Sequence, residues 1–217
     1  MENKKKKLAH YFSNQADVYE QVYDDRAGWL KSYWWRPLRQ YQQFALASMP
    51  MLKGKRVLEI GCGTGHLAVA MAQAGAQVYA IDLSREMVEL ANRKAKAAGV
   101  SQNLQLEVAD FDRWDPNVRE KFDYVVAITV FDYAGSPELW LKKMADLGLN
   151  IILTLPGNPL LLRLVRKVNL LIQVSHALSS FSQVQAGELV KKSGLKVLEQ
   201  QLINSTLCLC LEQGSSK

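Results

Sequence analysis

Cysteine is the first scarcity: three residues in a chain of 217. A small odd number excludes the disulfide framework that staples small secreted domains. Cys208 and Cys210 stand at no metal-ligand spacing from His10, His66 or His176, so no zinc site is expected, and both read as core-packed thiols on a strand. Long apolar runs are also missing. No stretch is long enough to cross a bilayer, and the charged opening residues are followed by neither an apolar core nor a cleavage site. Internal repeats and low-complexity segments are absent outside the tails. These absences point to a cytoplasmic protein. A hydrophobic content of 48% with 22% charged residues is ordinary for a soluble chain, and the length suits one well-buried α/β domain with accessory elements.

What is present is organised around residues 56–68. Arg56-Val57-Leu58-Glu59-Ile60 reads as a buried strand, and the alanine- and leucine-containing segment after it as a helix, expected over 64–74. Between them Gly61, Gly63 and Gly65 alternate with Cys62 and Thr64. So tight a turn, with a ligand against its backbone, favours residues without a Cβ. It also aims helix N-terminal N–H groups into the crevice where doubly wound sheets bind ligands. A dinucleotide loop would carry its third glycine at the sixth position. Here that position is His66, and the third glycine falls one residue early, which disfavours a nicotinamide-dependent oxidoreductase. Glu59, a charge inside an apolar strand, makes sense if it serves the site.

Three further strand ends follow. Val78-Tyr79-Ala80-Ile81 ends in Asp82-Leu83-Ser84, where a carboxylate can accept from ribose hydroxyls and Ser84 can cap the helix of 84–98 that contains Met87. Leu104–Val108 alternates like a strand and leads to Asp110-Phe111. Phe122–Ile128 gives a fourth strand end. A helix over 136–147, a strand over 149–154, a helix near 182–193 and strands over 195–199 and 206–211 complete an alternating pattern. The fold class expected is α/β: a Rossmann-like, doubly wound, seven-stranded sheet with helices on both faces. It is mostly parallel, with an antiparallel C-terminal edge hairpin and an N-terminal helical cap. The boundaries drawn are a cap over 1–50 and a domain over 51–213 carrying an apolar helical insertion at 157–180.

The acid-x-Gly-x-Gly-x-Gly run from Glu59 to Gly65 resembles the first motif of the class I S-adenosylmethionine (SAM)-dependent methyltransferases. The resemblance implies SAM as cofactor and S-adenosylhomocysteine as product. It implies that the loop of Gly61, Cys62, Gly63 and Gly65 cradles methionine and ribose while Glu59 orders the methionine amino group. It further implies that Asp82, with Leu83 and Met87 beside it, takes the ribose, and that Asp110 and Phe111 lie by the adenine. Ile128 would end the strand that faces the reacting methyl. In layout the chain is most similar to the small-molecule methyltransferases of tetrapyrrole and quinone biosynthesis. The features that carry this are the aromatic N-terminal segment, Phe122-Asp123-Tyr124-Val125-Val126-Ala127, and an apolar stretch after Leu153-Thr154-Leu155-Pro156.

A net charge of +6 raises nucleic acid as a partner. Much of the excess is Lys4-Lys5-Lys6-Lys7, which reads as a solvated, frayed tail. The family's base-methylating members carry Asn/Asp-Pro-Pro-Tyr after the fourth strand, where this chain has Ile128-Thr129-Val130-Phe131-Asp132-Tyr133, so nucleic acid is disfavoured. Residues 8–50 hold seven of the fourteen Phe and Tyr and three of the five Trp. They can pack the extension onto the core or form a lid over the cofactor, with Tyr11, Tyr19 and Tyr33 the candidates for touching it. A second helix with an aromatic stripe through Trp29 and Tyr33 is expected to run to about Met49, kinked or restarted at Pro37. The basic, leucine-rich 157–180 segment reads as a crossover helix, a pocket wall, a dimer surface or a membrane-surface contact.

The expected reaction is methyl transfer from SAM to a small, planar or apolar acceptor at oxygen or nitrogen. Asp132, Tyr133 and His176 are the candidates for a general base if one is needed. The rival readings are a non-catalytic SAM-fold binding protein, a nucleic-acid methyltransferase and the nicotinamide enzyme. The acceptor and the oligomeric state are left open at this level.

Overall fold

The computed structural model describes residues 2–20, 29–116, 120–157 and 180–214, with the side chains of 2, 4 and 29–35 left out. The apolar insertion, with His176, and the Tyr33 side chain therefore lie outside the described residues.

Three helices of the core begin at a serine cap. α1 (Glu2–Glu20) and α2 (Trp29–Ala47) precede β1 (Arg56–Ile60). α3 (His66–Gln73), β2 (Gln77–Asp82), α4 (Arg85–Ala97), β3 (Leu104–Val108) and β4 (Phe122–Ala127) follow. α5 (Pro137–Leu147), β5 (Gly148–Pro156), α6 (Gln183–Lys192), β6 (Leu195–Ile203) and β7 (Thr206–Gln213) end the chain. Ser84, Ser136 and Ser182 cap α4, α5 and α6 by accepting from the N–H groups of Met87, Leu139 and Gln185. The Ser182 and Gln185 pair closes a full capping box.

The seven strands form one sheet in the order β3-β2-β1-β4-β5-β7-β6. The first five are parallel, and β7 pairs antiparallel with both β5 and β6. The order reverses between β1 and β4, and it is outside the carboxyl ends of such a pair that open α/β sheets bind ligands. The central strands are buried on both faces. One face carries Val57, Val78, Val126 and Ile152 against α2 and α3; the other carries Leu58, Val125, Ile151 and Leu153 against α5 and α6.

Four expectations are corrected. α3 starts at His66 rather than 64, because Gly65 sits at φ 80 and cannot itself be helical. α2 continues through Pro37 as one helix, so it does not restart there. β6 extends to Ile203 instead of ending at 199, since Asn204 and Ser205, both at positive φ, make a two-residue hairpin turn that lets the exposed Gln200-Gln201 stretch pair with β7. The lysine run is not a frayed tail either. It lies within α1, and Lys5 pairs with both Asp110 and Asp112.

The two N-terminal helices do different jobs. α2 belongs to the core: Tyr41, Phe44 and Ala45 are buried in it, and the Tyr41 hydroxyl donates to Thr206 Oγ1 at 3.0 Å. α1 covers the crevice.

Candidate cofactor and acceptor site

The loop between β1 and α3 is held from within. Gly61 and Cys62 donate their N–H groups to Ile81 O at 2.8 and 3.1 Å, and Gly65 donates to Cys62 O at 2.9 Å. Two glycines are demanded by sterics. A Cβ on Gly61 would stand 2.2 Å from Val130 Cγ1, and one on Gly65 would stand 2.6 Å from Ala91 Cβ and 3.0 Å from Ala91 Cα. Gly65 therefore serves the packing of α3 on α4, and it is not among the residues lining the cavity.

That cavity, about 450 Å³, opens at the carboxyl ends of β1, β2, β3 and β4. Glu59, Gly61, Cys62, Gly63, Asp82, Leu83, Met87, Asp110, Phe111 and Ile128 all line it, as do Asp132 and Tyr133. Ten of the eleven residues expected to hold a cofactor thus meet in one place.

Asp82 is positioned by two backbone donors: Gly63 N–H reaches Oδ2 at 2.8 Å and Ser84 N–H reaches Oδ1 at 2.9 Å. Burial raises its pKa, and these N–H groups oppose the rise. Each oxygen keeps a lone pair for a hydroxyl donor. Glu59 has no such support. It is 4% exposed, its Oε2 is buried with no hydrogen-bond partner, and burial followed by the nearby Asp82 pushes its pKa up to about 8. A buried acceptor left unpaired is costly unless a ligand supplies the donor. That orphaned oxygen beside the glycine loop is what fits a ligand carrying an ammonium group.

Asp110 Oδ1 accepts from the Asp112 N–H at 3.0 Å and from Lys5. Phe111 is fixed edge-on against Trp140, ring centres 5.0 Å apart at 77°, while the Trp140 indole N–H donates to Asp112. Cys62 is buried with its pKa raised well above the usual thiol value, so it stays a thiol and is no nucleophile. His66 lies at the first turn of α3 with Lys94 Nζ against its Nε2. Burial, then Lys94, depress its pKa to about 4, which leaves a neutral ring with its Nε2 engaged.

The opposite wall comes from α1. Lys5, Leu8, Phe12, Ala16 and Tyr19 recur at helical spacing and make its inner face. Phe12 stacks edge-on against Tyr133, 5.2 Å between centres at 87°, joining the cap to the turn after β4. Tyr11 and Tyr19 line the cavity, and burial pushes the Tyr19 hydroxyl to about 12. Lys5 and Phe12 were missed in the sequence, although this spacing singles Lys5 out of its run. Leu38 and Gln42 of α2 also reach the cavity. Among the described residues no group of His, Cys, Asp or Glu is arranged to hold a metal ion, and no helix is long and apolar enough to cross a membrane.

A family profile described as a methyltransferase domain matches residues 57–147. A ubiquinone biosynthesis O-methyltransferase from Shewanella sp. (strain ANA-3) is 33% identical over 94 residues, which is 43% of this chain and 39% of that protein. An enzyme of the same name from Xanthomonas campestris pv. campestris (strain B100) is 32% identical over 133 residues, 57% of this chain and 54% of that one. The chain thus spans only 39% and 54% of the lengths of these curated relatives. The crystal structure of magnesium protoporphyrin IX methyltransferase from Synechocystis PCC 6803 with bound SAH has the same fold: TM-score 0.81, covering 97% of this chain and 100% of that one at 20% identity. The sheet order, the loop of alternating glycines and the matched profile lead to one placement: residues 57–147 match a methyltransferase domain, on a chain with the fold of a methyltransferase solved with bound SAH.

Proposed function

We propose that the protein transfers a methyl group from SAM to a small acceptor, planar or apolar, at oxygen or nitrogen. The observation that carries this is the set of three carboxylates at successive strand ends, Glu59, Asp82 and Asp110, around one cavity whose far wall is aromatic. Glu59 would hold the methionine amino group, Asp82 the ribose hydroxyls and Asp110 the adenine amine, with Phe111 and Met87 against the flat faces. Bound there, SAM supplies an electrophilic methyl on a sulfonium.

The remaining work falls to positioning and to keeping water out. Ile128, Thr129 and Val130 follow β4 beside the glycine loop, and α1 closes over them with Phe12 on Tyr133. Tyr19 keeps its proton at neutral pH and so acts as a hydrogen-bond donor toward an acceptor. Asp132 and Tyr133 are the groups at hand if the acceptor is a phenol or alcohol that needs a base. An acidic acceptor needs none. The leucines and aromatics of the wall favour an apolar ring over a sugar or a polyanion.

Incubation of the protein with SAM labelled in its methyl group, against a panel of phenols and aromatic carboxylic acids, tests this. The label is expected in the organic extract for at least one of these classes, and at a fixed low SAM concentration it should fall with Asp82→Ala. Binding of SAM with no label transferred to any acceptor would instead support a binding protein built on the same fold.

A further inference from the structure

We infer that loading the cofactor site expels a proton from Glu59: its carboxyl is neutral in the free protein and ionises when the cofactor's ammonium seats against the unpartnered Oε2. The inference rests on the SAM reading above and adds a linkage to it. In the event the Glu59 O–H bond breaks, the proton passes to solvent, and a carboxylate–ammonium pair forms in the cavity wall.

The donors that could have neutralised this carboxylate are committed elsewhere. Gly61 and Cys62 give their N–H groups to Ile81 O, Gly65 gives its own to Cys62 O, and Gly63 gives its own to Asp82. Lys5, a cationic side chain of the cavity wall, is engaged by Asp110 and Asp112. The other titratable groups of the wall are Asp82 at the tip of β2, the Cys62 thiol, His66 on α3, Tyr11 and Tyr19 on α1, and Asp132 and Tyr133 after β4. Cys62 and Tyr19 stay protonated and His66 stays neutral, so none of these three supplies a positive charge.

Two carboxyls therefore share the floor of the site, and the charge goes to the better-solvated one. Asp82 receives two backbone N–H groups; Glu59 is left with an oxygen that nothing reaches. Burial, and after it like-charge repulsion from Asp82, then keep the proton on Glu59, up to a pH of about 8. An arriving ammonium reverses the balance, because it pairs with the ionised form and has nothing to offer the neutral one beyond a weaker hydrogen bond. The affinity for any ligand bearing that ammonium should accordingly rise with pH through the neutral range, approaching tenfold for each unit below 8.

Calorimetric titration of the full chain with S-adenosylhomocysteine at pH 7, repeated in buffers of widely different ionisation enthalpy, counts the protons. The expected slope is between about half and one proton released per site, for a pKa near 8. Methylthioadenosine, which keeps the nucleoside and lacks the amino acid, should bind with no release. Glu59→Gln should bind S-adenosylhomocysteine with no release and no pH dependence between 6 and 7.5; if that variant binds too weakly to titrate, the contrast between the two ligands on the native protein decides. Binding of S-adenosylhomocysteine with zero slope, or equal release by both ligands, overturns the inference alone. A folded protein that binds neither ligand overturns the cofactor reading and the inference with it.

Discussion

Gly63 N–H donates to Asp82 Oδ2 at 2.8 Å, which ties the second glycine of the β1–α3 loop to the acid at the tip of β2. One carboxylate thus sets the shape of the loop and presents its remaining lone pairs to the cavity. The loop and the ribose acceptor are a single unit.

Asp82→Ala should separate binding from folding. Hydrogen bonds to a charged group contribute about 1.5–3 kcal/mol, so the variant should bind SAM roughly ten- to a hundredfold more weakly. Its circular dichroism should remain native. A folded variant that keeps full affinity by titration calorimetry would contradict the role assigned to this acid.

Gly65→Ala tests the packing of α3 on α4. Its Cβ would press on the backbone of Ala91, and the residue would be forced to keep φ 80. Overpacking and a left-handed conformation together should cost about 2–4 kcal/mol, read as a lower urea midpoint. An unchanged midpoint would mean that α3 and α4 are not packed as described.

Lys5→Met should loosen α1 while sparing the sheet. The ion pair with Asp110 and Asp112 is partly exposed, so global stability should fall by less than about 1 kcal/mol. Amide exchange in α1 should nevertheless quicken, and raising the salt concentration should have the same effect on the native protein. Unaltered exchange in residues 2–20 would show that the aromatic face alone holds the helix down.

The sequence disclosed the floor of the site better than its roof. Asp82 and Asp110 were legible because strand periodicity followed by an acid marks a strand end whatever the details of packing. The glycines were legible because alternate positive φ leaves few alternatives. Gly65 was placed at the ligand, however, since nothing in a sequence says that Ala91 will approach within 3.0 Å of its missing Cβ. Lys5 was hidden among identical neighbours, where only the direction of the helical face distinguishes the one that reaches Asp110. Glu199-Gln200-Gln201 concealed half of β6, because an exposed edge strand shows no apolar alternation to read. His176 and the apolar insertion fall outside the described residues.

His66 should make stability pH-dependent in a known direction. Its pKa falls from the ordinary 6.5 to about 4 on folding, so the native state favours the neutral ring. The unfolded chain takes up a proton as pH drops below 6.5, and the stability that His66 contributes above that value is lost on the way down to 4. The slope should be somewhat under the limiting 1.4 kcal/mol per pH unit, because the His66 side chain is partly exposed. His66→Gln, which keeps an acceptor for Lys94, should flatten this part of the curve of denaturation midpoint against pH. Parallel curves for the two proteins would contradict the burial assigned to the ring.

The most direct test of the account is parallel calorimetric titration of the intact protein with SAM, S-adenosylhomocysteine and NAD. The account predicts micromolar binding of the first two with one site per chain and no heat from NAD. Tight binding of NAD with none of SAM would contradict it, and the site would then have to be read as one for a dinucleotide.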